Sequence, residues 1–132
     1  MNTNRGNEII CEAEMTQEQE KACLAHYEIR GKFISTKYFL KLSPEGKGGI
    51  VFNISQMQMF TIIVQNNTDA KLIGYLTVSP DKKNYKIDPA SKETIEPNTL
   101  YPFVSRVFLK YTAIEIEGPA EGELYIYFQG QY

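Results

Sequence analysis

A chain of 132 residues with 42% hydrophobic and 23% charged side chains has the composition of one globular domain, and it is long enough to bury a sizeable core. The net charge is −2 and no run of Lys and Arg marks a phosphate-binding face, so no nucleic-acid partner is expected. No segment reaches the roughly 18 apolar residues that span a bilayer, and the opening MNTNRGNEIICEAEM lacks the apolar stretch of a secretory signal, so the expectation is a protein made in the cytoplasm without a signal peptide.

The chain changes character near residue 31. Residues 1–30 hold a single aromatic, Tyr27, and carry six Glu against two Arg and one Lys. They read as an arm of which Asn2 to Asn7 is disordered on composition. In TQEQEKACLAHYEIR, Thr16 is a helix cap with Gln19 at the reciprocal position, and Ala22, Leu24, Ala25 and Ile29 give a narrow apolar stripe. A short helix over about 16–30 follows, ended by Gly31, and it needs a surface to pack on.

Residues 31–132 read as strands. Phe33 to Leu42 comes first, then a turn in SPEGKGG, then Ile50 to Ile54. Met59 to Gln65 is a strong strand with Phe60, Ile62 and Val64 alternating, and Asn66-Asn67-Thr68-Asp69 is turn chemistry. Leu72 to Val78, a turn in SPDKKN, Tyr85 to Ile87, Thr94-Ile95 and the turn at Pro97-Asn98 follow. Phe103 to Leu109, Tyr111 to Glu117 and the terminal ELYIYFQGQY complete the pattern. Strands with turn signals every 8–12 residues predict an all-β fold: an antiparallel β-sandwich, jelly-roll or Ig-like, of about eight strands behind a partly helical arm.

Chemistry-bearing constellations are sparse. The single histidine, His26, lies in the arm, away from any nucleophile or second ligand. No phosphate-cradling glycine motif precedes a helix. Glu115 and Glu117 share a strand face, as do Glu121 and Glu123, and these pairs read as solvated carboxylates. Asp69, Asp81 and Asp88 lie in or beside turns, without the spacing of a calcium loop. The expectation is therefore no catalytic, cofactor-binding or metal residues, and no enzyme. Cys11 and Cys23 are the two cysteines, both in the arm, where they are placed to join subunits rather than to staple the body. In the terminal strand, Leu124, Ile126 and Phe128 form one face, and Tyr125 and Tyr127 stand on the other as interface candidates.

The stretch FTIIVQNNTDAKLIGYLTVSPDKKNY and the ending VFLKYTAIEIEGPAEGELYIYFQGQY resemble a family of uncharacterised small β-sandwich domains from spore-forming Firmicutes, over about residues 50 to 132. The arm with Cys11 and Cys23 before a cysteine-free sandwich is loosely similar to the subunits of endospore appendages, whose N-terminal connectors bridge successive subunits; here no adjacent cysteine pair appears and the arm reads as partly helical. The resemblance implies a non-enzymatic structural subunit that self-assembles into a fibre or a spore-surface layer, with the arm docking on a neighbouring subunit and the cysteines available for cross-linking. A glycan- or cell-wall-binding module is the alternative, with Tyr75, Tyr85, Tyr125 and Tyr127 as stacking candidates. Because the turns and alternations are self-consistent from residue 32 onward, a fragment of residues 32–132 is expected to show a β-type circular dichroism spectrum and one cooperative thermal transition. A molten or insoluble product would show that the arm completes the core.

Overall fold

The computed structural model describes residues 32–132. The predicted helix at about 16–30, Cys11 and Cys23 lie outside the described residues. Among the described residues there are nine strands: β1 (Phe33–Leu42), β2 (Lys47–Asn53), β3 (Met59–Gln65), β4 (Leu72–Ser79), β5 (Lys86–Ile87), β6 (Glu93–Ile95), β7 (Leu100–Phe103), β8 (Tyr111–Glu117) and β9 (Gly122–Gln131). The first sheet has the order β1-β9-β3-β7. The second runs β2-β8-β4, with β5 and β6 both pairing along the far edge of β4. All pairings are antiparallel.

β5 and β6 are one strand of the sandwich broken in the middle. Asp88, Pro89, Ala90 and Ser91 turn the chain through a short 3-10 segment, in which the Asp88 carboxylate accepts from the Ala90 amide. The break is bridged back to β4, since Asp88 N donates to Leu76 O and the Ser91 hydroxyl oxygen accepts from Leu76 N. With the two halves counted together there are eight strands, and the chain changes sheet at every connection except the one from β4 to β5. That order is the jelly roll of the two expected alternatives, with two interlocked Greek keys.

Alternation builds the core between the sheets. Ile34, Leu42, Ile62, Val64, Leu124, Ile126 and Phe128 point inward from the first sheet, and Phe52, Leu72, Leu76, Ile114 and Ile116 from the second. Phe128 stacks between Phe52 and Phe60, with ring centroids 4.7 and 5.6 Å away. The predicted turn SPEGKGG is shorter than expected, because the turn proper is Ser43–Gly46 and β2 starts at Lys47. Gly46 has φ +82°, the left-handed conformation the turn requires. Gly48 and Gly49 are strand residues, kept small because the Leu42 side chain and the Glu115 carboxylate lie against them.

The predicted strand at Phe103 to Leu109 is displaced: β7 is Leu100–Phe103, and residues 104–110 form a loop. Pro102 has no amide hydrogen to donate, and β7 is accordingly an edge strand. Asn66 ties two loops together. It is fully buried; its Nδ2 donates to the carbonyls of Ala70, Ile95 and Glu96, and its Oδ1 accepts from the Thr68 amide and hydroxyl.

Ile126 is fully buried in the central strand of the first sheet. Its burial stabilises the fold by roughly 1.5–3 kcal/mol, and a carboxylate in its place adds a desolvation cost against a net stability of only ~5–15 kcal/mol. Ile126→Asp is expected to remove most of the cooperative unfolding transition. Asn66→Ala, which leaves buried carbonyls without a donor, is expected to cost at least about 2 kcal/mol in urea unfolding. A melting curve for Ile126→Asp within a degree or two of wild type would contradict the placement of β9.

Candidate functional site

The register of the first sheet fixes what stands on its outer face. Reading across β1, β9, β3 and β7, one row is Phe39, Tyr125, Gln65 and Leu100, and the next is Lys37, Tyr127, Ile63 and Pro102. A third row is Ser35, Gln129 and Thr61, and the last is Phe33, Gln131 and Met59. Beyond the Phe39 row, Lys41 stands opposite Glu123, both exposed, so rings and aliphatic side chains share this face with polar groups, and its charged side chains are Lys37, Lys41 and Glu123. Phe33, Phe39, Met59 and Leu100 are 55%, 56%, 62% and 59% exposed, far more than large apolar groups in a core-facing position.

Contacts between side chains organise the face. The Phe39 and Tyr125 rings are 5.5 Å apart and tilted. The Lys37 ammonium lies 4.1 Å from the Tyr125 ring centroid and 5.6 Å from that of Tyr127, a cation–π arrangement. The Tyr127 hydroxyl donates to Gln65 Oε1 at 3.1 Å, and Gln129 Nε2 donates to Ser35 Oγ at 3.1 Å. Both tyrosines are half-buried, so their rings lie along the sheet.

The outer face of the second sheet has a different chemistry. Glu115 pairs across β8 and β2 with Gly49, where a Cβ would stand 2.7 Å from the Glu115 carboxylate oxygen. Tyr75 is opposite Glu115 on β4, and its hydroxyl donates to Glu117 Oε2 at 3.1 Å. Burial raises the Glu115 carboxyl above its usual range, and the neighbouring Glu117 carboxylate pushes it the same way. Burial also raises the Tyr75 hydroxyl, with its bond to Glu117 adding to the shift. The expectation of a wholly solvated carboxylate face is therefore corrected: Glu115 is half-buried and its strand neighbour Ala113 is fully covered. At the β4–β5 turn, the Asp81 carboxylate accepts from the amides of Asn84 and Lys83, which hold its pKa down to about 2.

Among the described residues no group of three or more His, Cys, Asp and Glu side chains is arranged to hold a metal ion. No helix there is long and apolar enough to cross a membrane. Tyr125 and Tyr127 are brought together on the first sheet, whereas Tyr75 lies on the second and Tyr85 in the loop just before β5. Phe33, Phe39 and Met59, which complete the aromatic face, were legible in the alternation of FISTKYFLKL and MFTIIVQ, where they fall opposite the core residues.

The family model of a domain of unknown function, DUF6385, matches residues 53–132. The chain belongs to this family. The match agrees with the resemblance over about residues 50 to 132 in marking out an uncharacterised β-domain. The DUF6385 region begins at the end of β2, yet β1, which precedes it, pairs with β9 from Phe33 to Leu42 and supplies Ile34 and Leu42 to the core. No curated protein matches the chain in sequence. Two solved structures are similar in shape. That of PirA has 8% identity and a TM-score of 0.46, covering 73% of this chain and 93% of its own. That of the Yersinia pseudotuberculosis-derived mitogen YPM has 8% identity and a TM-score of 0.44, covering 76% and 86%.

The raised Glu115 carboxyl has a measurable consequence. Between its ordinary value of 4.5 and the raised native value, the folded chain binds more protons than the unfolded one, so this group's contribution to stability falls as pH rises through that window. Glu115→Gln is expected to melt higher than wild type near pH 7, with the difference shrinking toward about pH 4. A destabilised Glu115→Gln near neutral pH would show that the charged carboxylate is held by favourable partners instead.

Proposed function

We propose that this chain is a non-enzymatic structural subunit that self-associates, burying the outer face of its first sheet against a neighbouring copy. The observation that carries the reading is the composition of that face. Four large apolar side chains, each more than half exposed, share this face with Tyr125 and Tyr127, and its charged groups are Lys37 and, in the row beyond Phe39, Lys41 and Glu123. Interface cores are enriched in Tyr, Phe and Met and depleted in Glu, Asp and Lys, and contiguous exposed apolar patches mark interaction sites. The acidic arm supports an assembly role. It precedes Phe33, which stands at one end of this face, and Lys37 and Lys41 on β1 are complementary to its glutamates. Docking of the arm on a neighbour, with Cys11 and Cys23 at the junction, belongs to this proposal. A spore-surface or appendage setting rests on the resemblance alone.

One observation favours the second reading, a glycan- or cell-wall-binding module. The hydrogen-bonded pairs Tyr127–Gln65 and Gln129–Ser35 interleave polar groups with rings, a mixture on which sugars both stack and hydrogen-bond. Sedimentation velocity over a range of concentrations separates the two readings. Wild type is expected to associate, and Phe39→Lys together with Tyr125→Ser to weaken association by roughly tenfold or more while leaving a folded β-spectrum. A wild type that stays monomeric but pulls down with peptidoglycan or chitin, and loses that binding in Tyr125→Ser, would support the second reading against the first.

A further inference from the structure

The jelly-roll order sorts the loops into two sets. The connections β2–β3, β4–β5 and β7–β8 lie at one end of the sandwich, beside Phe33 and Met59. This grouping is confirmed by contacts: Ile54 N donates to Lys110 O, Gln58 N donates to Gln131 O, and the Lys82 and Lys110 ammonium groups lie 6.0 and 5.6 Å from the Tyr111 ring. The connections β1–β2, β3–β4, β6–β7 and β8–β9 lie at the other end, where Gly118 N donates to Gly46 O and Asn66 N donates to Thr99 O.

Charge follows the same division. At the first end the loops between strands carry Lys82, Lys83, Arg106 and Lys110 against Asp81. At the second they carry Glu45, Asp69, Glu96 and Glu121 against Lys71. Every one of these ten side chains is exposed; Arg106 is paired with Asp88, and the first end stays net basic while the second is net acidic. The basic end is also tipped with apolar groups. Val104, Val107 and Phe108 are 63%, 41% and 55% exposed in the loop that replaces the predicted strand. That loop is held in place: Arg106 Nη2 reaches the buried Asp88 carboxylate at 3.3 Å, and Ser105 Oγ donates to Val107 O at 2.6 Å. At the acidic end Pro44, Pro119, Ala120 and Leu100 are exposed and offer apolar surface in return.

We infer that copies of this chain stack head to tail, the basic end of one seated on the acidic end of the next. The inference rests on the self-association proposed above and gives it a direction. The partner is a second copy because the chain itself carries a surface of the opposite charge at its other end. A contact between two different ends of identical subunits does not close on itself unless the rotation closes a ring, so it grows into a fibre. Charges around an apolar centre steer the encounter and fix the register, while the apolar tips exclude water.

Charge reversal at each end tests this on the full-length chain. Lys83→Glu with Lys110→Glu makes the basic end unfavourable for the acidic one, and Glu96→Lys with Glu121→Lys does the reverse; all four positions are exposed, so the fold is kept. By light scattering and negative-stain microscopy, each pair alone is expected to raise the concentration needed for growth roughly tenfold or more, and both pairs in one chain to restore growth. Growth of wild type should weaken on raising NaCl from about 0.05 to about 0.5 M. End-reversed variants that grow as wild type does, while Phe39→Lys with Tyr125→Ser abolishes association, would overturn the head-to-tail contact and leave the association face standing. A wild type that is monomeric at every concentration would overturn both. Wild type that does not grow but binds phosphatidylserine vesicles, with binding lost in Lys83→Glu and Lys110→Glu, would assign the basic end to an anionic lipid surface and overturn the inference.

Discussion

The strict two-residue alternation along β9 is the constraint on which the rest depends. This strand is paired on both sides, with β1 over its whole length and with β3 from Tyr125 to Gln131. A slip of one residue against either neighbour would carry Leu124, Ile126 and Phe128 into solvent and bury the tyrosines, so the register is held by the core. Once it is held, the position of every residue on the outer face follows. Tyr125 and Tyr127 stand where they do because Ile126 cannot be anywhere else.

Much of this was legible in the sequence because alternation is a local signal. FTIIV, ELYIYF and YTAIEIE each show their core face without reference to any other part of the chain. The failures share a physical cause. In VSRVFLK the apolar residues suit a strand, but the pairing with β3 stops at Phe103 and Arg106 is drawn to Asp88, a residue on another loop, so tertiary contacts override the local preference. The glycines of KGG looked like turn residues, and they are strand residues that leave room for Leu42 and Glu115 side chains from neighbouring strands. The half-buried state of Glu115 was likewise invisible, since it depends on Gly49 across the sheet. The polarity of the two ends was not legible at all. It arises only when the topology gathers loops that are far apart in the chain.

The apolar face of the first sheet and the charged ends are structurally independent, which in the proposed assembly lets one subunit make two kinds of contact. Side chains on the face project perpendicular to the strands, whereas the loops close the sandwich along the strand direction. A fold of this type hosts many unrelated functions, so the proposed assembly rests on these surfaces and not on the architecture. Phe33, which follows the acidic arm in the sequence, stands at the basic, apolar end of the body.

The central claim is that β9 divides its work, one face holding the fold and the other meeting a neighbour. Oxidative footprinting of the wild-type chain, at concentrations below and above the onset of association, tests it most directly. Phe39, Met59 and Tyr125 are expected to lose reactivity as copies associate, while Tyr75 on the second sheet keeps its own. Unchanged reactivity of the first-sheet residues in the associated state, or protection confined to the second sheet, would contradict it.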